Sequence, residues 1–147
     1  MNEKTALVVD DSKSARFALR KYLENLGYKV DAVEGASEAY AFLQAHRPQV
    51  VFLDHVMPGI DGFEALQHIK NSPNTSTIPV VICSSNDGAE FHADAQTRGA
   101  HDILCKPPST DRLARILENL QTTAAHTPAA SPVNTMELAA FDLAVAP

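Results

Sequence analysis

The feature that most constrains the fold is a regular alternation of short apolar runs with longer stretches of helical periodicity. The apolar runs, each ending at a polar or charged residue, occupy residues 6–9, 28–33, 50–53, 80–83 and 103–105. Stretches with apolar side chains at helical spacing follow them, over residues 13–26, 37–47, 62–70, 88–98 and 109–120. Short runs bounded by polar residues are typical of strands buried on both faces. The alternation predicts an α/β fold, a doubly wound parallel sheet of five strands with helices on both faces.

The composition narrows the class of protein. The chain has 147 residues, of which 45% are hydrophobic, enough for a core without disulfides. Its net charge of −6 argues against nucleic-acid and membrane-surface partners, because both present phosphate that Lys and Arg must meet. Two cysteines, Cys83 and Cys105, cannot form a disulfide framework. We therefore expect a soluble, cytoplasmic protein.

The composition changes after residue 121. Residues 1–121 are predicted to form one domain, and residues 122–135 are Ala/Thr/Pro-rich, which is typical of a linker. Residues 136–147 are a short apolar segment, too few for a core of their own. We expect no effector domain; alternatively, this sequence is the N-terminal part of a longer protein. Whether the apolar segment docks on its own domain, on a second copy or on nothing stays open.

Reactive side chains follow four of the five predicted strands. The first strand ends at Asp10 and Asp11, the third at Asp54, the fourth at Ser84 and the fifth at Lys106. Singly, each has an ordinary explanation as a helix cap, a turn residue or a solvated charge. The carboxyl ends of parallel strands share one edge, where ligands bind in doubly wound sheets. The conjunction therefore predicts a site.

The residue types restrict the chemistry of this site. Two carboxylates about 4 Å apart repel each other by roughly 4 kcal/mol at an effective dielectric constant near 20. Three acids beside one lysine therefore favour a bound cation, and oxygen ligands suit a hard ion such as Mg²⁺. A metal-bound carboxylate beside an amine and a hydroxyl can act as a phosphoryl acceptor, because the cations offset charge on the transferred oxygens.

These motifs carry a family resemblance over roughly residues 4–121. They are Val8-Val9-Asp10-Asp11, the stretch from Phe52 to Gly62 around Asp54, Ser84, and Gly99-Ala100 followed by Lys106-Pro107. Together they resemble the receiver domain of two-component response regulators, in particular the single-domain chemotaxis regulators. The resemblance implies a flavodoxin-like sheet with strand order 2-1-3-4-5.

The resemblance also implies a role for each matching residue. Asp54 would accept the phosphoryl group from a phosphohistidine on a sensor kinase or phosphotransfer protein. Asp11 would ligate Mg²⁺ (or Mn²⁺) directly, Asp10 would act mainly through water, and the backbone carbonyl of Val56 would be a further ligand. Lys106 would pair with the phosphoryl oxygens. Such a protein is not an enzyme in the usual sense, although it helps to catalyse its own phosphorylation and dephosphorylation.

The residues that would transmit phosphorylation to a partner match the family less completely. Ser84 would move toward the phosphoryl group as the switch, and the Lys106–Pro107 peptide is expected to be cis. The family usually has Tyr or Phe three residues before the lysine, where this chain has Ile103. Ile103 belongs either to a contact surface or to a half-buried strand. Coupling is then expected through the face of the fourth helix, fifth strand and fifth helix, which would bind a downstream protein or a second copy.

Three further possibilities were weighed against phosphorylation-dependent signalling. A receiver-fold adaptor that works without phosphate is favoured only by Ile103. An aspartyl-phosphate phosphatase would carry its nucleophile on the first strand in an Asp-x-Asp arrangement, whereas this chain has Asp10-Asp11. A flavodoxin-like cofactor protein would need a hydroxyl-rich phosphate loop after the first strand.

His55, next to the predicted acceptor, is interpreted as a solvent-facing loop residue rather than one that controls access to it.

Overall fold

A computed structural model describes residues 4–57, 59–86 and 88–126. The strands are β1 (Thr5–Val9), β2 (Lys29–Val33), β3 (Val50–Asp54), β4 (Val56–Met57), β5 (Ile60–Asp61), β6 (Val80–Ser84) and β7 (Asp102–Cys105). The helices are α1 (Lys13–Asn25), α2 (Ala36–Ala45), α3 (Gly62–Asn71), α4 (Ala89–Thr97) and α5 (Thr110–His126). The chain divides into two compact units, one up to Leu113 and one from Ala114, and the sheets lie in the first.

The main sheet has the predicted topology. Its five strands are parallel and lie in the order β2-β1-β3-β6-β7, which is 2-1-3-4-5 when only the strands of this sheet are numbered. The central strands β3 and β6 are buried along their whole length, as expected for strands covered on both faces. The α/β fold predicted from the alternation of strands and helices is confirmed.

Alternate strand residues face different helices. Leu7, Leu53, Ile82 and Ile103 belong to one core cluster with residues of α2, α3 and α4. On the opposite face, Leu19 of α1 lines a cavity of about 220 Å³ together with residues of β6 and β7. Burial of these apolar side chains is the main favourable contribution to folding.

Local signals in the sequence account for most helix starts. Ser12 caps α1, accepting a hydrogen bond from the Ala15 amide at 3.3 Å, and Asp61 with Glu64 forms the predicted capping box of α3. The start of α2 differs from the prediction at Ser37, since the helix begins at Ala36. Its N-cap is Gly35, whose carbonyl accepts a hydrogen bond from the Ala39 amide.

Two regions depart from the predicted elements. The segment expected to be a loop after Asp54 contains a short antiparallel hairpin of β4 and β5, with Gly59 at a φ of +80°. The last helix, expected to end near Leu120, continues to His126. Ala and Gln near its end favour helix over the predicted linker start. The rest of the predicted linker, from residue 127, and the apolar segment 136–147 lie outside the described residues.

None of the helices in the described residues is both long enough and apolar enough to span a membrane.

Candidate functional site

The carboxyl edge of the main sheet brings the predicted site residues together. Backbone hydrogen bonds fix the ends of the strands: the Lys106 amide donates to the Ser84 carbonyl at 2.9 Å, and the His55 amide donates to the Cys83 carbonyl at 2.9 Å. The side chains of Asp10, Asp11, Asp54, Ser84 and Lys106 line one pocket of about 230 Å³. The four strand ends therefore meet at one pocket, and the functional role of this pocket stays a prediction.

Lys106 is the cation at the centre of the site. Its Nζ lies 3.0 Å from Asp10 Oδ2 and 2.9 Å from Asp54 Oδ1, within hydrogen-bond distance of both. The two carboxylates are almost fully buried, at 7% and 8% exposure, whereas Lys106 is 31% exposed. The lysine therefore bridges two buried acids from different strands.

A third acid, Asp11, lies at the exposed edge of the pocket that contains Asp10 and Asp54. Asp11 is exposed, and the carboxylates of Asp10, Asp11 and Asp54 can each place an oxygen within 4.8 Å of the others. Asp10 is committed on both oxygens, because Oδ1 accepts a hydrogen bond from the Ser12 amide at 2.9 Å and Oδ2 accepts one from Lys106. One lysine among three carboxylates leaves a negative site, and its oxygen donors suit Mg²⁺.

Burial and charge shift the pKa values of the central pair. Burial raises the pKa of Asp54, and the charge of Asp10 raises it further, while the hydrogen bond and charge of Lys106 and the Val56 amide lower it without cancelling the rise. Burial alone would lower the pKa of Lys106, but its hydrogen bonds to Asp54 and Asp10 outweigh burial and raise it. Lys106 therefore stays protonated at neutral pH.

The switch candidate Ser84 is joined to the loop that leads into α4. Ser84 is buried, and its Oγ accepts a hydrogen bond from the Asn86 amide at 3.0 Å. The side chain of Asn86 in turn accepts one from the Gly88 amide, at the N-cap of α4. Asn86 was missed by the sequence interpretation, although an Asn two residues after a strand end is a common turn signal.

Two further predictions concern the backbone and the strand before Lys106. The Lys106–Pro107 peptide is cis, as predicted. Ile103 is 1% exposed and packs within the core cluster, so both predictions for it, a contact surface and a half-buried strand position, are wrong. In the middle of β7, Ile103 is covered by the core cluster that also contains Ala95 of α4. Val56, whose carbonyl is the predicted metal ligand, has a 72% exposed side chain at the pocket.

The interpretation of His55 as a solvent-facing loop residue is also wrong. Its side chain is 24% exposed and packs against two phenylalanine rings, and His55 is one of the residues that line the pocket of Asp54. Periodicity could not reveal these contacts, because they join the residue after β3 to side chains of two other elements, Phe63 of α3 and Phe91 of α4.

The two cysteines have no redox arrangement. Cys83 pairs with Leu104 in the sheet register, and Cys105 pairs with Ser84. Both thiols are unpaired, and burial raises the pKa of Cys83 to about 12. A thiol with so high a pKa is unreactive at neutral pH, as expected for a small buried hydrophobe.

The fold and this acidic pocket match a known class of signalling proteins. The family described as the response regulator receiver domain matches residues 6–118. The chain belongs to this family and is therefore a receiver domain of two-component signalling.

Individual relatives support this assignment. The chain is 33% identical to the protein PilH of Pseudomonas aeruginosa over 111 residues, covering 76% of this chain and 92% of PilH. It is 34% identical to the two-component response regulator ORR12 of Oryza sativa over 118 residues, covering 80% of this chain and 98% of ORR12. The crystal structure of the chemotaxis response regulator CheY4 of Vibrio cholerae matches with a TM-score of 0.75 and 27% identity, over 81% of this chain and 99% of CheY4.

Proposed function

We propose that this protein is a phosphorylation-dependent signalling receiver that accepts a phosphoryl group on Asp54 from a histidine kinase or phosphotransfer protein. The observation that carries the proposal is the hydrogen bond of 2.9 Å between Asp54 Oδ1 and Lys106 Nζ inside an acidic pocket. Asp10 is a weaker candidate for the acceptor, because both of its oxygens already accept hydrogen bonds. Asp11 is exposed at the rim, where it suits a metal ligand.

The proposed transfer conserves atoms and charge. An oxygen of ionised Asp54 attacks phosphorus, the phosphorus–nitrogen bond of the phosphohistidine breaks, and the leaving imidazole nitrogen takes a proton. Lys106 lies within hydrogen-bond distance of Asp54, where its charge offsets that of the phosphoryl oxygens. Deactivation is a separate step: water attacks phosphorus, the bond to Asp54 breaks, the Asp54 carboxylate is regenerated, and inorganic phosphate leaves with the protons of that water. The protein is then a phosphoacceptor that assists its own reactions rather than an enzyme with a separate substrate.

The donor set fits a divalent metal. Asp11, Asp54 and the backbone carbonyl of Val56 would hold Mg²⁺ or Mn²⁺, with Asp10 acting mainly through water, and the bound metal would neutralise charge on the phosphoryl oxygens. The excess of carboxylates over lysine in the pocket supports this assignment.

The output follows from the position of Ser84. A phosphoryl group on Asp54 would attract the Ser84 hydroxyl, which now accepts from the Asn86 amide in the loop before α4. Such a change favours one of two surface states that a partner distinguishes. We place the partner, a downstream protein or a second copy, on α4, β7 and the first turn of α5. There Arg112 binds Asp102 at 2.7 Å. A cytoplasmic location without a nucleic-acid partner agrees with the net charge of −6.

The phosphate-independent adaptor is the weaker candidate. It is suggested by Ile103, which stands where the family usually has Tyr or Phe, whereas the full set of site residues argues against it: Asp10, Asp11, Asp54, Ser84 and Lys106 all line the pocket.

The test is phosphate incorporation from a small phosphodonor such as acetyl phosphate, with and without Mg²⁺. We expect the wild type to gain one phosphoryl group only with the metal, and Asp54→Asn to gain none. Asp31→Asn is the matched control, because it makes the same substitution at an exposed position on β2 and should behave as the wild type. Equal incorporation by Asp54→Asn, or none by the wild type, would contradict the proposal.

A further inference from the structure

The residue after the acceptor belongs to an aromatic cluster, here defined as His55, Phe63, Phe91 and Arg98. The ring centroid of His55 lies 4.9 Å from that of Phe63 and 4.8 Å from that of Phe91. Phe63 and Phe91 are stacked at 5.3 Å, and the Arg98 guanidinium lies 4.8 Å from the Phe63 centroid. The cluster thus joins the end of β3 to the first turn of α3 and to both ends of α4.

The backbone of His55 is fixed on both sides. Its amide donates to the Cys83 carbonyl at 2.9 Å, and its carbonyl accepts from the Gly62 amide at 2.7 Å. Gly62 is packed so closely that an added Cβ would lie 2.4 Å from the Asp54 carbonyl oxygen and 2.7 Å from the His55 Cα. A change in the pocket can therefore reach the surroundings of His55 through its side chain far more easily than through its backbone.

The first turn of α4 contacts the His55 side chain through Phe91. Ala95 is the buried residue of the helix, and the Gly88 N-cap offers no side chain to the first turn. Phe91 is half-buried and reaches the core through its contacts with His55 and Phe63. Few buried apolar contacts and a weak cap are features of segments that shift at low energetic cost.

We propose that His55 is a positioning residue that transmits the state of the Asp54 pocket to α4 through its ring contact with Phe91. The inference rests on the proposed function, since it needs Asp54 to change state. A phosphoryl group added to a pocket of about 230 Å³ takes space beside His55, one of the residues that line that pocket. Close-packed rings do not absorb such a change locally, so the ring moves Phe91 and with it the first turn of α4.

The test compares phosphate incorporation with the amide NMR shifts of α4 in the same sample, before and after acetyl phosphate and Mg²⁺. The wild type should show one phosphoryl group and displaced amide resonances over Ala89–Thr97. Compared at equal phosphoryl occupancy, His55→Ala should lose the displacement of α4, and His55→Phe should restore it by replacing the ring. His46→Ala is the matched control, since His46 stacks on Phe42 at 4.3 Å, outside the cluster. It should keep the wild-type response.

Several results would overturn the inference. One is a fully phosphorylated His55→Ala protein with the wild-type displacement of α4, and another is equal loss in His46→Ala. If His55→Ala fails to fold, Phe91→Leu tests the same ring contact from the α4 side. A phosphorylated Phe91→Leu protein that keeps the displacement of the α4 resonances rejects the proposal, and one that loses it supports the proposal. A wild type that takes phosphate without movement of α4 overturns this inference alone. A wild type that takes no phosphate overturns the proposed function as well.

Discussion

At the scale of single residues, the site is built around a carboxylate in an unfavourable position. Asp54 is buried, and its pKa is raised by burial and by the charge of Asp10, with Lys106 offsetting only part of the rise. Because the pKa is higher in the folded than in the unfolded state, the folded protein binds more protons between the two values. The free energy of unfolding therefore falls as pH rises through that window, and ionised Asp54 costs stability at neutral pH.

Removing this charge should stabilise the protein. In the absence of divalent metal, Asp54→Asn should raise the free energy of unfolding at pH 7 by about 1 kcal/mol, an ordinary size for a single substitution. The gain should shrink as pH falls through the raised pKa of Asp54, where the wild-type carboxyl becomes neutral. Urea unfolding over a pH series measures this difference in the free energy of unfolding, and Asp31→Asn is the control at an exposed position. An Asp54→Asn protein less stable than wild type at pH 7 would contradict the account.

At the scale of elements, the close contact of α3 with the end of β3 holds the acceptor in place. Gly62 is the first residue of α3, and its amide donates to the His55 carbonyl. The nearest atoms to a Cβ at this position belong to the backbone of Asp54 and His55, which cannot rotate away as a flexible side chain can. A glycine is required there by packing, although its conformation is ordinary.

Gly62→Ala should therefore lower the free energy of unfolding by about 2 kcal/mol, as overpacking of a filled site does. Gly35→Ala is the matched control, because its added methyl would meet only the Glu38 carboxylate, at 3.1 Å, on a side chain that can move. That control should lose less than about 1 kcal/mol, the effect of a poorer N-cap. Thermal and urea unfolding compare the two variants, and equal losses would show that the contact with the acceptor strand is unimportant.

At the scale of the whole molecule, folding and metal binding should be coupled. Asp54 is distant in sequence from the adjacent Asp10 and Asp11 and meets them only when β1 and β3 pair, so an unfolded chain has no comparable site. A ligand that binds only the folded state stabilises it by mass action. The same three carboxylates that repel each other without metal should then become a source of stability with it.

Mg²⁺ at ten times its dissociation constant should raise the free energy of unfolding by about 1.4 kcal/mol. Asp11→Asn should lose most of this gain, since Asp11 is the exposed acid of the three, while Asp31→Asn should keep it. Unfolding measured over a Mg²⁺ titration checks both. The same gain in Asp11→Asn as in wild type would place the metal elsewhere.

The five principal site residues could be predicted from the sequence for a physical reason, whereas the strand order was implied by the family resemblance. Asp10, Asp54, Ser84 and Lys106 lie at the ends of continuous apolar runs, and parallel strands must present those ends at one edge. Local chemistry likewise revealed the Asp61 capping box.

Two of the features that could not be predicted from the sequence depend on contacts between distant segments, and a third is too short to detect. The burial of Ile103 comes from the helices packed on that face of β7, and the environment of His55 comes from Phe91 of α4. The β4–β5 hairpin is only two residues long in each strand, too short for alternation of side chains to be visible.

The central claim is that Asp54 is the residue that carries the phosphoryl group, and mapping that group tests it most directly. After reaction of the wild type with acetyl phosphate and Mg²⁺, borohydride reduces an aspartyl phosphate to homoserine, which tandem mass spectrometry locates in the peptide. We predict homoserine at position 54 and unmodified aspartate at positions 10 and 11. An unmodified Asp54, or homoserine at Asp10 or Asp11 instead, would contradict the account.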